Sequence, residues 1–422
     1  MNNEQRDAYD CLDFATVDGE AYILEITDVP DSGELIIPSL SPDGSPVKAI
    51  EQSAFENCYE LTSITIPEGV EYVGYGAFRA CSGLKRVYFP STVPEIRPLD
   101  FWGCASLECI SVAEENENYK TVDGNLYTKD GTGLVRYAPG KTDECFRLPE
   151  GVCIIGACAF YGAKRLKRVI LPEGLSEIGG GAFSGCQSLE AVNIPASVKT
   201  IYGDIFEDCQ NLTSITVDER NESYSSINGH LYSKDGEVFL RYAPGKADEC
   251  FKLPEGVKKI VKHAFSHSIN PTRVEMPDSV CEIESDAFYF ATGLTEIELS
   301  KGLKCIASSC FAHCAHLRKV KIPDGVKEIG CSAFSDCIRL GEIILPDSVE
   351  IIEKYAFTSC LELKNIHLPK SVKRISLDAF SSCYHLDAIF WGGTEKEWLD
   401  TGAEETRTDF SIMCPIFFNN KD

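Results

Sequence analysis

The sequence predicts a β-rich α/β solenoid, a stack of short coils that bury their apolar faces against one another. Three observations predict it: a Phe returns every 23 residues, apolar residues nine and eleven positions later alternate as in a half-buried strand, and a Pro usually follows. A fixed repeat of about 20 to 50 residues is typical of solenoids, because one unit alone cannot bury its apolar face. The landmark Phe residues are Phe55, Phe78, Phe101, Phe160, Phe183, Phe206, Phe265, Phe288, Phe311, Phe334, Phe357 and Phe380.

Each coil is predicted to contain a strand, a turn, a second short strand and a short helical turn. Ile64 and Ile66 have the spacing of the first strand, and Pro67 ends it because Pro cannot donate to a ladder. Val70 and Val73 follow as the second strand. A Cys three residues after the Phe shares its face of a helical turn, so we expect these thiols to fill the core. The predicted ladder includes Phe55, Cys58, Phe183, Cys186, Phe334, Cys337, Phe357 and Cys360.

Two intervals between landmark Phe residues measure 59 residues, and each resolves into one ordinary coil and one long coil of 36. The long coils are residues 113–148 and 218–253. Each contains an Asp-Gly pair, at Asp130 and Asp235, between runs of alternating apolar residues, which is a strong hairpin signal. We therefore expect a β-hairpin on the outer side of each long coil, within one continuous stack of about fifteen coils that spans residues 46–391.

Both ends of the chain depart from the repeat, as solenoid ends must when they shield the core from water. Residues 1–45 are predicted to form an N-terminal cap with a pair of strands at 22–26 and 35–37. Residues 392–422 are predicted to form a C-terminal cap, with a helix that a capping box opens at Thr394, followed by a closing strand.

Composition limits the function classes. A net charge of −25 over 422 residues argues against nucleic acid, which binds clustered Lys and Arg. No apolar run approaches the roughly 20 residues of a membrane helix, so no membrane insertion is expected. The first residues lack the pattern of an export leader. Together with many buried thiols expected to be reduced, this favours a cytoplasmic location.

No catalytic, cofactor-binding or metal site is predicted. The run of Cys310, His313, Cys314 and His316 has the residue types of zinc ligands, but the repeat places Cys314 on the buried ladder and the two His residues elsewhere. Carboxylates are spread over the repeat surfaces, and the sequence contains no Gly-x-Ser-x-Gly elbow, no His-Glu-x-x-His and no dinucleotide-binding Gly cluster.

The outward residues of the first strands provide two candidate binding surfaces. A basic and aromatic strip on an acidic chain is expected from Arg86, Tyr88, Arg147 and Arg168. Arg and Tyr are frequent interface anchors, although side chains that are exposed to solvent and bind nothing would also account for the strip. The second strip consists of Ile344, His367 and Phe390, for which cover by the C-terminal cap is the alternative to partner binding.

The phrase Ala-Phe-x-x-Cys-x-x-Leu-x-x-Ile-x-Ile-Pro-x-x-Val-x-x-Ile resembles the BspA-like, or Treponema-type, leucine-rich repeats of bacterial and protozoan surface proteins. The Leu-Tyr-x-Lys-Asp-Gly coils and the Gly-Gly-Thr-Glu-Lys-Glu-Trp ending are similar to that family too. The resemblance covers residues 12–420 and implies a leucine-rich-repeat solenoid that binds proteins, often in adhesion, at a cell surface. We expect a non-enzymatic protein-binding scaffold. The alternatives are an adhesin for host or neighbouring-cell proteins or glycans and, more remotely, an enzyme with a pocket at a hairpin coil.

Overall fold

The computed structural model describes residues 8–401 and 414–418. The chain divides into two compact units, unit 1 with residues 8–209 and unit 2 with residues 210–401 and 414–418. Each unit is a β-solenoid. The prediction about an export leader falls on residues 1–7 and part of the predicted C-terminal cap falls on 402–413 and 419–422, all outside the described residues.

Unit 1 contains long strands of three or four residues, one per coil, and short strands of two residues in the next part of the coil. Strands β3, β5, β7 and β8 pair in parallel as one sheet, and β12, β14 and β16 pair in parallel in another. The strands of unit 1 are β1 (Leu12–Val17), β2 (Glu20–Ile26), β3 (Glu34–Ile36), β4 (Val47–Ile50), β5 (Ser63–Thr65), β6 (Tyr72–Val73), β7 (Arg86–Phe89), β8 (Cys109–Val112), β9 (Tyr119–Val122), β10 (Asn125–Thr128), β11 (Gly133–Arg136), β12 (Cys145–Arg147), β13 (Ile154–Ile155), β14 (Arg168–Ile170), β15 (Glu177–Ile178), β16 (Ala191–Ile194) and β17 (Thr200–Ile201).

Unit 2 has the same plan, and its long strands from β22 to β35 form one parallel sheet of eight strands. The strands of unit 2 are β18 (Ser214–Val217), β19 (Tyr224–Ile227), β20 (His230–Ser233), β21 (Val238–Arg241), β22 (Cys250–Lys252), β23 (Lys259–Ile260), β24 (Arg273–Glu275), β25 (Glu282–Ile283), β26 (Glu296–Glu298), β27 (Cys305–Ile306), β28 (Lys319–Lys321), β29 (Glu328–Ile329), β30 (Glu342–Ile344), β31 (Ile351–Ile352), β32 (Asn365–Leu368), β33 (Arg374–Ile375), β34 (Ala388–Trp391) and β35 (Ile416–Phe418). The helix α1 spans Glu395–Asp400.

The long strands occur where the repeat predicts them. Among the described residues, seven of the predicted coils have their long strand in unit 1 and eight have it in unit 2. The landmark Phe rings stack from coil to coil in the core, for example Phe55 on Phe78 at 5.7 Å and Phe334 on Phe357 at 5.5 Å between ring centroids. Since the spacing of the strands sets the spacing of the rings, the aromatic ladder and the sheet stabilise the same register.

The segment around each landmark Phe differs from the predicted helical turn. In most coils the residues two before and two after the Phe adopt positive φ, as Ser53 and Asn57 do at 58° and 65°. This conformation interrupts a helix and turns alternate N–H groups toward the next coil, so that the N–H of Phe55 donates to the carbonyl of Ala77 at 2.9 Å. Only Pro98–Phe101 and Leu377–Phe380 form 3-10 helices among the described residues.

The long coils contain the predicted hairpins, in which β10 pairs antiparallel with β11 and β20 with β21. Each hairpin also gains a strand that the sequence interpretation missed, because β9 pairs with β10 and β19 with β20. The resulting three-stranded meander does not project outward, since β11 and β21 join the sheets of short strands through β13 and β23.

The two caps differ in how well they follow the prediction. Strand β2 pairs with β1 and β4, whereas β3 belongs to a different sheet, so the predicted pairing of residues 22–26 with 35–37 is wrong. The C-terminal helix α1 begins at the predicted capping box, in which the Thr394 hydroxyl accepts from the Glu397 N–H. The side chain of Trp398 is buried against Trp391 at 5.3 Å, and β35 pairs with β34.

The ladder thiols make hydrogen bonds that were not expected. All the predicted ladder residues are buried except Cys58, which is half-buried. In eight coils the Cys thiol donates to the carbonyl of the landmark Phe 26 residues earlier, at 2.9 to 3.2 Å from sulfur to oxygen. The Cys is therefore a donor that caps a backbone acceptor of the preceding coil, in addition to a small apolar filler.

Candidate binding surface

The predicted second strip forms a continuous line across the sheet of unit 2. Ile344 pairs with His367, His367 with Phe390, and Phe390 with Phe417, on β30, β32, β34 and β35. We call Ile344, His367, Phe390 and Phe417 the apolar row. Phe417 was not among the predicted residues. Residues in register on adjacent parallel strands share a face, so these side chains project from the sheet on the same side.

The apolar row is exposed, with 67% of Ile344 and 51% of Phe417 accessible, and Phe390 is half-buried between its neighbours. The rings of His367 and Phe390 stack at 4.7 Å and those of Phe390 and Phe417 at 5.3 Å. A groove of about 430 Å³ runs beside the three rings and is also lined by Asp347. Strand β35 thus lengthens the row, and the described residues of the C-terminal cap leave these side chains accessible.

The same line of residues is ionic on the other side of Ile344. Lys321, the partner of Ile344 in register, forms an ion pair with Glu298. In the adjacent line of outward residues, Arg273 pairs with Glu296 at 3.3 Å. Both pairs are cross-strand ion pairs, which neutralise charge within a sheet. The line through Ile344 therefore changes from an ion pair to apolar side chains at Ile344.

The predicted basic strip is divided between two sheets of unit 1. Arg86 and Tyr88 lie on β7, and Arg86 is engaged by Glu34 at 3.2 Å. Arg147 and Arg168 lie on β12 and β14, which belong to a separate sheet, and both are exposed. The four residues consequently do not form a single strip. Arg147 and Arg168, which project from one face of adjacent strands, form the smaller basic patch that remains.

The zinc-like run of residues shows no convergence. Cys310 and Cys314 are buried, while His316 Nδ1 faces the carbonyl of Thr292 and His313 faces Asp336 at 3.6 Å. Within residues 8–401 and 414–418, no group of three or more His, Cys, Asp or Glu side chains is placed to hold a metal ion. A search of the helices in the same residues finds none with the length and apolar character needed to cross a membrane.

Comparison with known proteins identifies the repeat. A family model described as "BspA type Leucine rich repeat region" matches residues 45–129, 142–234, 248–337 and 304–394. No curated protein sequence matches the chain.

Solved structures of bacterial proteins share the fold. A leucine rich cell surface protein from Faecalibacterium prausnitzii is 28% identical, with a TM-score of 0.55 over 93% of this chain and 96% of that one. A leucine-rich repeat protein from Eubacterium ventriosum is 21% identical, with a TM-score of 0.56 over 95% and 94%. The pneumococcal vaccine antigen PcpA is 20% identical, with a TM-score of 0.54 over 97% of both chains.

Proposed function

The chain belongs to the BspA-type leucine-rich repeat family, and from this premise we propose that it is a non-enzymatic scaffold that binds a partner protein through the outward face of its sheet. Solenoids of this kind commonly use an extended sheet surface for binding. The observation that carries the proposal is the apolar row, a line of stacked and exposed side chains that begins next to the Glu298–Lys321 ion pair on the same face.

The physical basis of this binding is preorganisation. The rings of His367, Phe390 and Phe417 are held by strands in register, so that little conformational entropy is lost when a partner covers them. Aromatic side chains that are already fixed also supply the large buried area typical of interface hot spots. Arg147 and Arg168 are a second proposed contact, which would act mainly on the association rate because exposed charges steer an encounter.

Replacing Ile344, Phe390 and Phe417 together by Ser is expected to weaken partner binding at least tenfold, since the apolar contact area is lost. The partner is to be identified by crosslinking in the source organism and its dissociation constant measured by calorimetry with the purified protein. The circular dichroism of the variant should match that of the wild type, because these side chains lie on the surface.

The matched control exchanges the charges of one ion pair on the same face, Glu298→Lys with Lys321→Glu, and should leave the dissociation constant within about twofold. A third variant, Arg147→Ser with Arg168→Ser, should lower the association rate. Equal affinity of the triple Ser variant and the wild type for the partner would contradict the proposal. Binding of purified glycans, with no protein partner found, would also contradict it.

The location is proposed to be the cell surface. The cytoplasmic location that the thiols predicted has no support in the comparisons, whereas the 28% identical solved protein is described as a cell surface protein. We expect protease treatment of intact cells of the source organism to digest this chain while a cytosolic enzyme survives. Survival of the chain in intact cells, with digestion only after lysis, would favour the cytoplasm.

A further inference from the structure

A cavity of about 220 Å³ lies beside the first long coil in unit 1. Arg136 lines it together with Lys164 and Asp208. Gly162 and Gly185 also line the cavity, and neither contributes a side chain to fill it. The cavity is separate from the apolar row, which belongs to unit 2, so it requires its own explanation.

Arg136 is a cation that is buried beside this cavity. The residue is 1% exposed, and its Nη1 donates to the carbonyl of Cys158 at 2.7 Å, whereas Nε has no hydrogen-bond partner. No carboxylate among the described residues forms an ion pair with it. The thiols of Cys104, Cys158 and Cys186 and the phenol of Tyr161 favour its charged form. Burial lowers the pKa of Arg136 to about 10, so it remains charged at pH 7.

The second long coil also contains a buried Arg, but it differs from the first at the positions of the two glycines. Arg241, 105 residues after Arg136, donates through Nη1 to a backbone carbonyl and also to the Ser266 hydroxyl at 2.9 Å. The positions that correspond to the two glycines are occupied by His267 and Phe290, whose rings stack at 5.4 Å. The first coil therefore has no side chain at two positions where the second coil has an aromatic ring.

We propose that this cavity binds a small organic molecule through its carboxylate, with the guanidinium of Arg136 as the counter-ion. A buried cation without an anion is costly, and a planar carboxylate matches the donor geometry of Arg. The volume exceeds the roughly 150 Å³ of a protein cavity that admits benzene, so a molecule of amino-acid size fits. Lys164 adds positive charge, and Asp208, which accepts a hydrogen bond from Gln187 at 2.9 Å, can also receive an ammonium group.

The test is a ligand-observed NMR titration of the full chain with acetate, L-alanine and trialanine. We expect saturable binding of at least one probe to the wild type, and binding at least tenfold weaker in Arg136→Met, which removes the counter-ion but keeps the length of the side chain. Gly162→His leaves Arg136 in place and adds, at the lining of the cavity, the side chain that unit 2 has at the corresponding position, His267. The Gly162→His variant should weaken binding by the same factor, and it provides the test of the proposal if the Arg136→Met variant does not fold.

The matched control is Arg318→Met, which removes one exposed positive charge from unit 2 and should leave binding within twofold of the wild type. Preference among the probes identifies the source of the carboxylate: acetate for a simple acid, L-alanine for an amino acid and trialanine for a peptide end. The proposal is overturned if no probe binds saturably to the wild type, or if the Gly162→His variant binds as tightly as the wild type.

Discussion

Replacing Cys337 by Asp is expected to unfold coils of unit 2, with a loss of at least about 3 kcal/mol in the free energy of unfolding. The Cys337 thiol is fully buried and donates to the carbonyl of Phe311 at 3.1 Å. An ionised carboxylate would lose that donor and place negative charge against the carbonyl oxygen. Burial, the thiols of Cys314 and Cys360 and the carboxylate of Asp336 all raise the pKa of Cys337, so its surroundings disfavour a negative charge.

The choice of Cys337 and of its controls follows from the neighbouring charges. Cys186 occupies the same ladder position in unit 1, but Arg136 is near enough to interact with it and would neutralise an Asp there. Cys337→Ser keeps a donor for Phe311 and should cost less than about 2 kcal/mol. Cys331→Asp places the same charge on an exposed position and should be almost neutral.

Urea unfolding followed by the fluorescence of the buried Trp391 and Trp398 of unit 2 measures these differences. An unfolding midpoint for Cys337→Asp equal to that of Cys331→Asp would contradict the buried ladder.

The regular part of this fold could be predicted because the same pattern of buried positions recurs in many coils. Spacing alone located the landmark Phe stack, the long strands and the long coils, since a buried position recurs wherever one coil packs on the next. The C-terminal helix was found from the local hydrogen-bonding chemistry of Thr394 and Glu397. Periodicity also identified Ile344, His367 and Phe390 as outward, but Phe417 lies outside the repeat, so no period could place it in the same line.

The features that escaped prediction depend on conformation or on irregular neighbours. A Phe and a Cys three apart suit a helical turn, but they also suit the turn with positive φ at Ser53 and Asn57, which lets the coil bond to its neighbour. The extra strand of each meander had a usable signal: Asp123-Gly124 and Asn228-Gly229 are turn pairs with positive φ at both residues. No signal in the sequence indicated the burial of Arg136, because the periodicity of the ordinary coils does not extend to the long coils.

A buried histidine in the second meander should make unit 2 sensitive to acid. His230 is 1% exposed, its Nδ1 accepts from the N–H of Ala243 at 3.1 Å, and its ring stacks on Tyr242 at 4.5 Å. Burial, helped by the positive charge of Lys246, lowers the pKa of His230 to about 3. The carboxylate of Asp248 is 3.7 Å from Nε2, beyond hydrogen-bond range.

The sign of the pH dependence follows from the two states. The folded chain keeps His230 neutral, whereas the unfolded chain takes up a proton near the ordinary pKa of about 6.5. The stabilisation is therefore complete above pH 6.5 and declines as the pH falls from there toward 3. At pH 5 we expect the free energy of unfolding to be about 2 kcal/mol lower than at pH 7 through this group.

His230→Asn isolates this contribution, because the first meander already uses Asn at the corresponding position. There the Asn125 side-chain oxygen accepts from the N–H of Ala138 at 3.0 Å, the bond that His230 makes with Ala243, without a group that titrates. All other titrations are shared, so the difference between wild type and variant in their loss from pH 7 to pH 5 reports His230 alone. Urea unfolding at both pH values should show a smaller loss in the variant by about 2 kcal/mol. An identical loss in both proteins would mean that the ring is protonated in the folded state, and hence that Asp248 outweighs burial.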